Sequence, residues 1–592
     1  MSVSVETVPG GNFLVEESSP KELFTPDELT EEHRMIMDTA RRFMLDEVMP
    51  RAEQLEKCDL DLLVKLLKKS GELGLLGAEI PEEYGGMGLD LLSSMLISEE
   101  IGRLASWSVS VGGHAGIGTY PVLYFGNEEQ RKKWLPQLAT GEILSSYGLT
   151  EPHSGSDALA ARTKAVLTED GQHYILNGSK MWITNAGFAD LMMVFAKVDG
   201  TQFSCFIVDT KSPGFTVGAE EKKMGLKGSS TRGVTLENVK VPKENLVGEV
   251  GKGHKIALNV LNIGRFKLGA WCVAGSKFAL NDAIKYAKER TQFGKHLSEF
   301  GALQEKFGQM VTLIWVGESM NYRTAGLIEK ALTAVDKKDP QAVLRGIEEY
   351  AAECAILKVW SSEALDYVVD ECVQIFGGYG YSQEYPAERP YRDSRINRIF
   401  EGTNEINRLT ITGTLLKRTM SGRLNLMDAL VEVQKELEGG VSPTPGTGAL
   451  AREKALVHAS KSGALLCAGV AINAIGMDSP EEKHQEALMR ISDLVMEIFA
   501  QESAWLRCQK LIDTRGEDKV QMQIDITRTY INDSIEKVRR VGRNLLASVS
   551  EGEALEESLE QLDRLLKHTP INTVRTRRRI AERVLEAGRY QV

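Results

Sequence analysis

Tyr147-Gly148-Leu149-Thr150-Glu151-Pro152-His153-Ser154-Gly155-Ser156-Asp157 stands where the chain changes texture. Upstream, to about Gly141, apolar residues recur at helical spacing, as in Leu60, Leu62, Leu63, Leu66 and Leu67. Downstream, the runs 173–176, 180–184, 191–196, 203–208 and 234–236 are short and β-type. Asn177-Gly178, Asp199-Gly200 and Ser212-Pro213-Gly214 separate them as turn signals. Helical spacing returns over about 255–417. Gly439-Gly440-Val441-Ser442-Pro443-Thr444-Pro445-Gly446-Thr447-Gly448 then reads as a linker, and 449–592 as a further helical unit. The expected fold is α+β: an N-terminal helical domain (25–144), a central antiparallel β-barrel or sandwich (145–252), a helical bundle (253–420), a linker (421–448) and an additional C-terminal helical domain (449–592).

At 592 residues the chain exceeds what one hydrophobic core serves. A net charge of −12 argues against nucleic acid as the main partner, because phosphate recognition needs a basic surface. Seven cysteines without a C-x-x-C pair disfavour a disulfide framework or structural zinc, and no metal site is expected. Residues 1–24 read as a loose leader without an export or organelle signal, and Thr25-Pro26-Asp27-Glu28 as a helix start. The apolar stretch 463–477 is shorter than a membrane span needs. The expected location is the cytoplasm, with peripheral contact at the inner face of the membrane as the alternative. No G-x-G-x-x-G opens a helix after a strand, and there is no H-E-x-x-H, Walker loop or nucleophile elbow.

Three segments concentrate unusual residues. The opening loop is rich in hydroxyls and small residues. Lys180-Met181-Trp182-Ile183-Thr184-Asn185 puts Trp182 and Thr184 on one strand face by period two. Gln374-Ile375-Phe376-Gly377-Gly378-Tyr379-Gly380 allows close backbone approach, and Arg398-Ile399-Phe400-Glu401-Gly402-Thr403-Asn404-Glu405 sets one carboxylate between an aromatic and a glycine. Taken singly, each has a plainer reading: loop glycines make turns, a strand Trp packs in a core, and an isolated Glu is a solvated charge.

Taken in order, with Glu289-Arg290-Thr291-Gln292-Phe293-Gly294-Lys295 between the second and third, these segments resemble the acyl-CoA dehydrogenase family over about residues 28–420. The resemblance implies FAD bound without a nucleotide-type glycine loop. Its flavin contacts fall on Tyr147, Leu149, Thr150, Ser156, Trp182, Thr184, Thr403 and Glu405. Arg290, Phe293, Gln374, Gly377 and Gly378 match residues that reach the FAD of a neighbouring subunit, which implies a homodimer or homotetramer. Glu401 matches the base that removes the α-proton of an acyl-CoA, with FAD accepting the β-hydride. Some relatives carry the base on a helix just before an Arg, where this chain reads Asn262-Ile263-Gly264-Arg265; Gly264 cannot serve. Ser156, Asn262, Arg265 and Gly402 match the acyl-CoA site.

The extra C-terminal unit resembles the very-long-chain branch, and Val111-Gly112-Gly113-His114-Ala115-Gly116 matches the far end of the acyl pocket, where small residues leave depth. The implied reaction is conversion of long acyl-CoA to trans-2-enoyl-CoA in fatty acid β-oxidation, with electrons passed to an electron-transfer flavoprotein. An acyl-CoA oxidase is the nearest alternative, and a scaffold built on the C-terminal domain is another. In relatives that domain contributes to membrane attachment. Lys454, His458 and Lys461 ahead of 465–475 can be read as a surface helix or as part of the bundle core. Arg575, Arg577, Arg578 and Arg579 can be read as a lipid contact or a solvated face.

Overall fold

The computed structural model describes residues 7–336, 339–439, 446–476 and 480–592. In the N-terminal part, polar residues start the four longest helices by accepting a free backbone N–H. Thr30 caps Glu31–Phe43, Asp59 caps Leu60–Glu72, Asp90 caps Leu91–Ile101 and Asn127 caps Glu128–Thr140. Thr25-Pro26-Asp27-Glu28 does hold a local cap, with the Glu28 carboxylate taking the Thr25 N–H at 2.8 Å. It starts only the 3₁₀ turn Pro26–Glu28, however, and the α-helix begins after Thr30. Between two helices, Gly112–Gly118 winds as a π-helix, the wider turn that often marks a functional wall.

Eight strands form the central sheet: β1 (Ser145–Gly148), β2 (Lys164–Leu167), β3 (His173–Thr184), β4 (Leu191–Val198), β5 (Gln202–Asp209), β6 (Phe215–Glu220), β7 (Thr231–Pro242) and β8 (Leu246–Val247). Their order is β6-β7-β3-β2-β4-β5-β8, with β1 beside β4. The sheet is mixed, because β1 and β2 each pair parallel with β4 while the other pairings are antiparallel. Asn177-Gly178 is not a hairpin turn. It lies inside β3, where the register against β7 slips between Leu176 and Gly178. A Cβ on Gly178 would stand 2.4 Å from the Thr163 hydroxyl, so the glycine serves close approach.

Behind the sheet run the long helices Gly253–Glu289, Gly301–Thr333, Ala351–Phe376 and Asn404–Met420. The additional unit comprises Leu426–Gly439, Ala451–Ile475, Gln485–Arg515, Gln521–Val549, Gly552–Leu565 and Thr573–Ala587. Linker residues 440–445 lie outside the described residues. The unit packs on the bundle through buried ion pairs, Arg323 to Glu502 at 2.6 Å and Arg507 to Glu318 at 2.7 Å. Arg408 to Asp493 at 2.8 Å braces Asn404–Met420 from behind.

Residues 7–24 are not loose. The Gly10 and Gly11 N–H groups donate to Glu349 and Glu353, and Phe13 and Leu14 are buried; residues 1–6 lie outside the described residues. Among the described residues one helix, Ala451–Ile475, is long and apolar enough to cross a membrane, and 61% of its most apolar window is buried against the protein. Lys454 pairs with Glu17 and Lys461 with Glu502, so these lysines tie the helix to the molecule. The arginine cluster is not a purely solvated face: Arg577 meets Glu305, Gln309 and Asp533, and Arg579 meets Asp525.

Candidate active site

A cleft of about 1430 Å³ opens where the sheet meets the bundle. Tyr147, Leu149, Thr150 and Ser156 line it from β1 and the loop beyond, Trp182 and Thr184 from β3, Asn262 and Arg265 from Gly253–Glu289, and Glu401, Gly402 and Thr403 from the turn before Asn404–Met420. The structure thus gathers eleven expected residues from segments up to 256 positions apart. Trp182 faces the cleft by more than strand alternation. The β3–β7 register breaks again between Lys180 and Ile183, and Trp182 sits at φ +60°. That bulge turns the indole out of the core and leaves it 54% exposed.

Arg290, Gln374, Gly377 and Gly378 do not join this cleft. They line a second depression of about 570 Å³ at the far end of the bundle, where the Arg290 guanidinium stands 5.4 Å from the centre of the Tyr379 ring. Phe293 lies beside it at φ +51° and is 94% exposed. Glu405 points to solvent in the first turn of its helix.

At the head of the main cleft, Glu401 adopts φ +55° and Gly402 follows at φ +79°, a left-handed pair that swings the carboxylate toward Gly253–Glu289. Its Oε2 is shielded and has no hydrogen-bond partner. Burial pushes the carboxyl up to about 7, against the opposing pull of the Arg265 and Lys358 cations. Arg265 is itself buried; its Nε donates to the Glu401 carbonyl at 3.2 Å and its guanidinium to Asn262 Oδ1 at 3.1 Å. A Cβ on Gly264 would stand 2.9 Å from the Glu401 Oε2. The helix position at which other relatives place a base is therefore the space this carboxylate fills. A shielded carboxylate whose proton affinity is raised to near neutrality suits proton abstraction.

Three consecutive stretches match family descriptions: residues 30–142 the "Acyl-CoA dehydrogenase, N-terminal domain", 146–239 the "middle domain" and 251–416 the "C-terminal domain". The chain belongs to the acyl-CoA dehydrogenase family. Residues 459–564 match a further description, also "Acyl-CoA dehydrogenase, C-terminal domain", which falls within the additional helical unit. A Bacillus subtilis protein described as a probable acyl-CoA dehydrogenase is 47% identical over 586 residues, 98% of each chain. A solved acyl-CoA dehydrogenase from Bacillus anthracis, complexed with FAD, superposes with a TM-score of 0.97 at 47% identity, covering 99% of this chain and 100% of that one. The very long-chain specific acyl-CoA dehydrogenase of Rattus norvegicus is 36% identical over 481 residues, 76% of this chain and 70% of that one.

Acyl-CoA dehydrogenases are FAD-dependent oxidoreductases, and the cleft fits the cofactor. Besides Glu401 Oε2, the Tyr147 hydroxyl is buried at its wall without a partner, and the exposed Trp182 ring offers a flat apolar face. Both are what a planar ring with polar edges would cover.

Sequence reading missed the supports behind these residues. Lys180, wholly buried, donates to Glu151 Oε1 at 2.7 Å and to the carbonyls of Leu149 and Phe195. Glu151 in turn accepts the N–H groups of Arg162 and Thr163, which fixes the loop carrying Thr150 and Ser156. Lys358, Asn404 and Asn407 hold the Glu401 turn. The available signal was a lysine amid apolar residues, as in Ile356-Leu357-Lys358-Val359-Trp360.

Proposed function

We propose that the protein is a long-chain acyl-CoA dehydrogenase of fatty acid β-oxidation, converting acyl-CoA to trans-2-enoyl-CoA with Glu401 as the base. The observation that carries this reading is the Glu401 carboxyl, shielded at the head of the cleft and titrating at about 7. Ionised Glu401 removes the α-proton of the bound thioester, and Arg265 fixes the base's backbone through its carbonyl. Bound FAD supplies the acceptor for the β-hydride. Ser156, Asn262, Arg265 and Gly402 hold the acyl-CoA, while Tyr147, Leu149, Thr150, Ser156, Trp182, Thr184 and Thr403 hold the cofactor. The thioester carbonyl is polarised in part by the Glu401 backbone N–H as negative charge develops.

Three observations support a long acyl chain. Val109, Gly113 and Ile117 give the cleft an apolar inner wall with no charge. The π-helical turn of small residues sits at that wall. A relative described as very long-chain specific matches this chain over 481 residues, against 395 for one described as short-chain specific. Arg290, Phe293, Gln374, Gly377 and Gly378 complete the FAD site of a second copy in a homodimer or homotetramer, and electrons leave to an electron-transfer flavoprotein. The test is anaerobic titration of the yellow protein with acyl-CoAs of graded length. Bleaching strongest with long chains is expected; bleaching by short or branched thioesters alone overturns the chain-length reading. Fast reoxidation of the bleached protein by oxygen would make it an oxidase.

A further inference from the structure

Lys358 lies in the second turn of Ala351–Phe376 and is 0% exposed. An ammonium there needs partners, because an unpaired charge is not tolerated in a protein interior. Its Nζ donates to the Gly402 carbonyl at 2.6 Å and to Asn404 Oδ1 at 2.7 Å. Asn404 is fixed in turn, its amide donating to Ser362 Oγ and Glu363 Oε1, both at 3.1 Å. From the opposite side the Asn407 amide reaches the carbonyls of Glu401, Gly402 and Thr403 at 3.2, 2.8 and 3.0 Å. The carbonyls of this left-handed turn are thus held by Lys358, Asn407 and Arg265, and two of these three groups are cations.

We propose that Lys358 is a positioning residue for Glu401, its ammonium holding the Glu401–Gly402–Thr403 turn against the bundle and setting a fixed positive charge behind the carboxylate. The proposal rests on Glu401 being the base. The charged and titratable groups facing this point come from each element packed on it: Arg265 and Cys272 from Gly253–Glu289, Cys354 from the lysine's own helix, Glu405 from Asn404–Met420 and Tyr147 from β1. Burial pushes both thiols and the tyrosine upward, so they stay neutral. Glu405 stays ionised and acts on Lys358, which leaves Arg265 and Lys358 as the two charges acting on Glu401. Burial also brings the Lys358 ammonium down to about 8, with the Glu401 charge opposing that fall. The two groups therefore titrate as a linked pair.

The experiment compares wild type, Lys358→Met and Lys358→Arg as FAD-loaded protein. It measures the rate of flavin reduction at saturating acyl-CoA across pH, the acyl-CoA Kd, the melting temperature and the ¹³C carboxyl titration of Glu401, assigned by difference from Glu401→Gln. Losing the cation should move the acid limb and the carboxyl titration upward by about one unit, and so slow reduction at pH 7 by about fivefold, with Kd nearly unchanged. Lys358→Arg should keep the limb in place. If Lys358→Met does not fold, Lys358→Gln carries the same expectation. An unmoved limb in the charge-removing variant overturns the proposal, even with slower turnover and a lower melting temperature, because that is a merely structural role. A limb that moves equally in Lys358→Arg also overturns it. Normal flavin reduction in Glu401→Gln would instead remove the base assignment itself, whatever Lys358 does.

Discussion

Replacing Glu401 with glutamine should make the protein more stable at alkaline pH, and the size of that gain follows from the site. The carboxyl rises from its ordinary 4.5 to about 7 because burial disfavours its charged form. A group raised in this way stabilises the fold below its unfolded value, and that contribution is lost as pH climbs through the folded one. A rise from 4.5 to about 7 corresponds to about 3 kcal/mol. Glutamine keeps the shape and stays neutral at every pH. At an unfolding entropy of about 2 cal/mol/K per residue over 592 residues, the gain is a melting shift of about 2.5 °C, larger if the bundle unfolds separately. Differential scanning calorimetry of the flavin-loaded proteins from pH 4 to 8.5 reads it directly. The two melting curves should meet near pH 4 and separate between pH 5 and 7.5, with the variant higher. Parallel curves across that range would refute the reasoning, since Glu401 would then ionise at no penalty.

Two further outcomes are expected. Lys180→Met leaves Glu151 buried without its cation and should destabilise the protein by about 3–5 kcal/mol and weaken FAD retention, with Glu151→Gln in the same chain recovering part of the loss; calorimetry and flavin content after gel filtration check both, and an unaffected single variant would show that the pair does not hold the loop. Phe293→Asp puts a charge on a side chain that is 94% exposed on one copy, and should lower the assembly mass by light scattering and loosen FAD together; an unchanged mass and affinity would remove this residue from a shared site.

What the sequence disclosed is what short segments can carry. The order of helices and strands, the carboxylate at 401 and its glycine counterpart at 264 were readable because each lies within a distinctive local run. The structure adds that these last two are complementary in space, which spacing along the chain does not reveal. The strand pattern was read too simply, because a bulge looks like a turn when only Asn177-Gly178 is seen. The parallel pairings of β4 depend on which strands meet, not on the alternation within any one. A lysine amid apolar residues hinted at the supports, but what they support was illegible for the same reason. Lys358 bonds a carbonyl 44 positions away and Arg418 one 408 positions away, so their partners appear only once the chain is folded. The 7–24 segment has no regular apolar spacing to announce itself, and it is held by carboxylates beneath it together with the burial of Phe13, Leu14 and Leu23.

The most direct test of Glu401 as the base is stopped-flow mixing of wild type and Glu401→Gln, both FAD-loaded and anaerobic, with a long-chain acyl-CoA. Wild type should lose its flavin absorbance within the mixing experiment. The variant should bind acyl-CoA and keep its flavin oxidised, with reduction slower by several orders of magnitude. Reduction of the variant at a rate near wild type would contradict the account.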